Sequence, residues 1–155
     1  MLKHFTEKNL RRLFIALVFL AIRVEASSLD LTNWVGRYPS SNDRGFQNVF
    51  EVPAVKKALK KMLTHSEWKL LTDTNAVTSP IQLIQDCLVV ECCKPHCCPC
   101  EHAMLVIDLR HERFHVGFYR YSQDKTAIKW ISSQGEFYDL PKEIQDEFYY
   151  GHNTK

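Results

Sequence analysis

With 155 residues, 45% of them hydrophobic and 25% charged, the chain has room for one modest domain with a real core and too little for two ordinary ones. Its 20 basic and 18 acidic residues leave a formal charge of +2, which excludes the strongly basic character on which general nucleic-acid binding rests. Six cysteines make the cellular compartment the next question, because such a count favours disulfides outside the cytoplasm and thiols or zinc inside it.

Residues 1–26 bear on that question. Lys3, Lys8, Arg11 and Arg12 precede the apolar run LFIALVFLAI, Leu13 to Ile22, and RVEA comes next with Val24 and Ala26. This order of regions is that of a secretory signal peptide, with cleavage expected after Ala26. Its apolar core falls well short of the roughly 20 residues that span a bilayer. Cleavage removes Lys3, Lys8, Arg11, Arg12 and Arg23 together with Glu7 and Glu25, leaving 15 basic and 16 acidic residues. No later run is apolar for long enough to cross a membrane. The expected mature protein is therefore a single soluble domain, residues 27–155, periplasmic or secreted and without stable membrane insertion once the signal is removed.

Residues 27–48 read as an irregular lead-in, dense in turn formers at RYPSSNDRG, with Trp34, Tyr38 and Phe46 as anchors. EVPAVKKALKKMLTHSEW then reads as a helix: Pro53 suits a first turn, and Val55, Ala58, Leu59, Met62 and Leu63 share one face. Lys56, Lys57, Lys60 and Lys61 fall mainly opposite, as a solvated face would, although an anionic membrane surface could use the same pattern. Residues 72–82 read as loop, with a short helical turn at SPIQLIQ.

From Leu88 the pattern becomes that of strands. CLVVECC and HAMLVIDL are apolar runs separated by the cysteine cluster, and RHER at 110–113 turns the chain. FHVGFYRY sets Phe114, Val116 and Phe118 against His115, Gly117 and Tyr119, which predicts a strand with one buried face. SQDKT leads to AIKWI, and PKEIQDEFYYG reads as a closing helix started by Pro141 and stopped by Gly151. Successive hairpins with helices packed on one sheet make an α+β fold.

CCKPHCCPC, residues 92–100, holds five of the six cysteines and admits several readings. As an exported zinc or copper site it would use Cys92, Cys93, His96, Cys97, Cys98 and Cys100, but neighbouring strand residues point to opposite faces and cannot easily share one ion. As a redox centre it has the Cys97 to Cys100 spacing, yet the next segment reads as a strand, where such chemistry needs a helix. Cysteine nucleophilic catalysis lacks an orienting Asp or Asn. No triad, phosphate loop, HExxH helix or carboxylate pair stands out, so no enzyme and no cofactor is expected. As a stapled loop, a Cys93 to Cys98 closure would present Lys94, Pro95 and His96 at a tip stiffened by the proline.

CKPHCC, Cys93 to Cys98, resembles the Cys-Lys-Pro-His-Asp-Cys signature of the inhibitor of vertebrate lysozyme family, the periplasmic Ivy-type inhibitors. The surroundings agree loosely over residues 45–150, with an amphipathic helix before the motif, strands on both sides and a tryptophan-bearing strand IKWI after it. The resemblance implies an antiparallel sheet, expected to have about five strands, with helices packed on one side and a protruding disulfide-closed loop. It further implies inhibition of c-type lysozyme by insertion of that loop into the active-site cleft. Cys93 and Cys98 would form the disulfide, Lys94 and Pro95 would shape the loop, and His96 would be the central inhibitory residue. Cys97 departs from the family's aspartate. The pairing of Cys87, Cys92, Cys97 and Cys100 stays open, as does homodimerisation, including through a free Cys97.

Overall fold

Backbone hydrogen bonds and apolar side chains are satisfied together where the longest apolar runs lie side by side. In the computed structural model, which describes residues 29–39, 48–72, 76–98, 100–122 and 125–150, six strands occur in chain order. These are β1 (Val77–Thr78), β2 (Gln82–Ile84), β3 (Cys87–Cys93), β4 (Glu101–Asp108), β5 (Arg113–Ser122) and β6 (Lys125–Ser132). All pair antiparallel in one sheet: β3, β4, β5 and β6 run in sequence, while β1 and β2 share the outer edge of β3. The helices are α1 (Pro53–Met62), α2 (His65–Leu71) and α3 (Lys142–Tyr150). The α+β class is that expected from the sequence.

The helices do not all lie on one side. On one face of the sheet Leu88, Val90, Leu105 and Val116 pack beneath α1, α2 and the lead-in, against Val55, Leu59, Leu71 and Trp34. On the other face Val89, Met104 and Val106 pack beneath Phe137, Ile144 and Phe148, so α3 covers the opposite side. The reason lies in β3 and β4. Each contains an unbroken buried apolar run, Cys87 to Val90 in β3 and Ala103 to Ile107 in β4, and alternating side chains place half of each run on either face, so both faces need a cover.

His115, Gly117 and Tyr119, which the sequence pattern assigns to an open face, are buried as well. A Cβ on Gly117 would clash with the Trp130 ring and lie 2.6 Å from Phe148 Cε2, so the glycine lets β6 and α3 close over the strand. His115 is buried with Nδ1 2.9 Å from Ser132 Oγ, and its burial pushes its pKa down.

Three further expectations change. The helical run read through Trp68 is two helices, because Thr64 starts α2 with a reciprocal cap: its backbone N–H donates to Glu67 Oε2 at 2.8 Å, and its Oγ1 accepts from Glu67 N. SPIQLIQ contains β2 instead of a helical turn, since the open edge of β3 supplies its pairing partners. Of the three lead-in aromatics Trp34 is buried, Tyr38 is exposed, and Phe46 lies outside the described residues. The lysine face of α1 is solvated as read, with Lys56 paired to Glu51 and Lys60 5.8 Å from the Trp68 ring. Among the described residues no helix is long and apolar enough to cross a membrane.

Candidate functional site

Between β3 and β4 the chain leaves the sheet and returns within a few residues. Lys94 N donates to Glu101 O at 3.0 Å, which closes the base of the loop where the strands end. Cys97 N then donates to Lys94 O at 3.0 Å. Pro95 is the second residue of that turn, and His96, the third, has φ of 63°. A hydrogen-bonded turn with proline second and positive φ third has the pattern of type II. Histidine is among the residues that accept the left-handed region more readily than most, though at some cost. The outcome is an exposed imidazole at the apex.

Two disulfides hold this turn. Cys93 and Cys98 are joined with Cα atoms 4.7 Å apart, and Cys97 and Cys100 with Cα atoms 5.2 Å apart. The first is the bond that the resemblance implies. The second answers part of the pairing question and gives Cys97 a definite place: the position that breaks the family pattern is tied to the return limb of the loop. Cys100 N also donates to Cys97 O at 2.9 Å, and Tyr121 N to Cys100 O at 2.7 Å, so the return limb is fastened to β5. The doubly closed segment forms a clasp.

An ionic strut supports the clasp from the side of α1 and α2. Glu101 lies 2.8 Å from Arg120 Nη2 and 3.5 Å from Lys94 Nζ. Burial alone would raise the Glu101 pKa, but Arg120 and Lys94 outweigh it and hold the carboxyl below the usual range. Lys94 is thus drawn back toward the sheet while His96 points outward. On the opposite face His102 Nε2 stands 3.6 Å from Glu91 Oε1 and its ring 6.0 Å from that of Phe148. Nearby Glu147 has a raised pKa, from burial first and then from the charge of Glu91.

The pairings also bear on the metal alternative. Cys93, Cys97, Cys98 and Cys100 are committed to disulfides and offer no thiolate, which is the form that binds zinc or copper(I). Cys92 is buried in the core beneath the helices, and its burial pushes the thiol up to about 12. Cys87 belongs to the other face, with burial and then Asp108 pushing its thiol up to about 11. These two free cysteines of β3 are separated by the sheet itself. Of the six proposed ligands, His96 and the buried Cys92 remain.

Sequence reasoning identified the tip residues and missed their supports. Glu101 and Arg120 face each other in the β4–β5 register, a relation visible only once that register is known. The Cys97 to Cys100 spacing was visible, and its link is local, but the choice among partners depended on loop geometry.

A family model described as Inhibitor of vertebrate lysozyme (Ivy) matches residues 54–149, a span that begins in α1, contains the whole clasp and ends in α3. No curated protein and no solved structure matches the chain.

Proposed function

Because the chain belongs to the inhibitor of vertebrate lysozyme family, we propose that it inhibits c-type lysozyme by inserting the Cys93–Cys98 loop, with His96 at its tip, into the enzyme's active-site cleft. The family is one of inhibitors and not of enzymes, so the chemistry is that of occupying another protein's site. The observation that carries the proposal is the clasp: an exposed imidazole at the apex of a turn closed by two disulfides, within the span that defines the family.

A glycosidase cleft of this kind holds two carboxylates on either side of the bond to be cut. Placed between them, a neutral imidazole donates one hydrogen bond and accepts another, the protonated ring donates from both nitrogens with charge assistance, and either form excludes the sugar. Binding usually costs a loop its freedom. The proline, the turn and the two closures remove most of that freedom beforehand, which favours affinity without adding a contact.

Residues 1–26 are proposed as a signal peptide and residues 27–155 as the exported domain, delivered to the periplasm or beyond. The disulfides fit that destination, since such bonds persist in oxidising compartments. The test of function is titration of the purified protein against c-type, g-type and i-type lysozymes in a cell-wall turbidity assay. Inhibition of the c-type enzyme is expected, and no inhibition of it would overturn the proposal.

A further inference from the structure

The tip of the clasp runs only from Lys94 to Cys97, whereas a stable interface draws about 20–30 residues and about 800 Å² from each partner. A loop that enters a cleft also brings the lips of the cleft down beside its base. The surface there is therefore part of any such complex.

The sheet register shows what lies at that base. Val77 pairs with Cys93, Cys93 with His102, His102 with Tyr119 and Tyr119 with Ile128. Directly paired residues share a face, so these five form a row across the clasp end of the sheet on the α3 side. The row covers four strand spacings, about 19 Å at about 4.8 Å each. Its centre is covered, with Tyr119 buried and His102 against Phe148. Its two ends are open: Val77 is 50% exposed and Ile128 44% exposed. Tyr121, two residues beyond Tyr119 on the same face, is 43% exposed, and its backbone holds Cys100.

Single exposed apolar residues are ordinary on any protein. Three on one face, at one end of the sheet and on both sides of a protruding loop are not a random scatter. The other face at this end is ionic, carrying Lys94, Glu101 and Arg120. The clasp therefore has an apolar flank and a charged one.

We infer that Val77, Tyr121 and Ile128 form an apolar shoulder on which the lips of the lysozyme cleft rest when the clasp is inserted. The shoulder rests on the proposed function and adds to it a second contact region, away from His96. It fixes the depth and the roll of the clasp in the cleft, because lips seated on both ends of the row leave one orientation.

The test replaces all three residues by threonine, which keeps strand propensity while removing apolar surface. Leu83→Thr serves as the control, since Leu83 is equally exposed but lies on β2 at the opposite end of β3. The inhibition constant toward a c-type lysozyme should rise by about tenfold or more for the triple variant, as for the loss of a hot-spot cluster, and stay unchanged for Leu83→Thr. Val77→Thr and Ile128→Thr alone, each checked by thermal unfolding, should show intermediate increases and guard against a folding defect in the triple variant. If the wild type inhibits and the shoulder variants inhibit equally well, the inference is overturned while the proposed function stands. It is also overturned if light scattering shows the substitutions abolishing self-association with inhibition intact, for then the shoulder serves a second copy of the chain. A wild type inactive on the c-type enzyme removes the function first and the shoulder with it.

Discussion

His96 combines two properties that substitution can separate, a side chain at the apex and a backbone in the left-handed region. Alanine keeps the unfavourable φ and removes the imidazole, while glycine removes the imidazole and accepts the φ without penalty. Both variants should raise the inhibition constant toward c-type lysozyme by about tenfold or more. Only His96→Gly should match or exceed the thermal stability of the wild type. Equal inhibition by wild type and His96→Ala in the turbidity assay would remove the imidazole from its central role. Gly117 poses the reverse question, since its missing Cβ is what Trp130 and Phe148 require. Gly117→Ala should lower stability by about 1–3 kcal/mol, the usual cost of overpacking a filled core, as measured by urea unfolding.

Among the elements, the clasp carries a second disulfide and α2 is tied to β6 by a side chain. Removing the second closure with Cys97→Ser/Cys100→Ser leaves the Cys93–Cys98 bond in place, so the fold should survive. The loop then has more freedom to lose on binding, and inhibition should weaken by several-fold, about 1 kcal/mol for each side chain newly left to be immobilised. Inhibition constants as tight as those of the wild type would show that the extra disulfide does not preorganise the site. In α2, Glu67 is ion-paired with Lys129 of β6 and caps Thr64; the Lys129 hydrogen bond first and the Thr64 contacts next draw its pKa down to about 2 from 4.5. The folded protein therefore holds this carboxylate ionised where the unfolded chain would protonate it. Its stabilising contribution is whole above about pH 4.5 and is lost as the pH falls through about 2. Glu67→Gln should flatten this part of the acid limb in a series of urea unfolding curves, and an unchanged acid limb would show that the tie contributes nothing.

At the scale of the molecule, a sheet covered on both faces separates the cysteines into two populations. Four are bound in the clasp and two, Cys87 and Cys92, are thiols buried on opposite sides of β3. The native protein should react slowly with a thiol reagent at neutral pH, and unfolding without reductant should release two reactive thiols per chain. A larger number would reopen the metal reading, whose ligands need free sulfur. The proposed export makes a separate prediction, since secreted or periplasmic protein should begin at Ser27 by mass spectrometry.

Much of this organisation was legible in the chain itself. The helix after Pro53, the strands CLVVECC and HAMLVIDL, the closing helix after Pro141 and the Lys-Pro-His tip all arise from local patterns that the fold respects. Periodicity, proline placement and cysteine spacing act over a few residues, and neighbouring residues are enough to express them. What the local patterns could not convey was which surface each apolar residue would meet. FHVGFYRY alternates like a strand with one open face, yet α3 returns from far along the chain to cover Gly117 and Tyr119, and β6 brings Trp130 and Ser132 beside the buried His115. The partner of Cys97, the Glu101–Arg120 strut and the row from Val77 to Ile128 likewise depend on loop closure and strand register. Local pattern was enough for the long strands, the first and last helices, the family signature and the residues of the tip. What braces the tip and what surrounds it follow from the fold, because contacts between distant segments are set by packing both faces of one sheet at once.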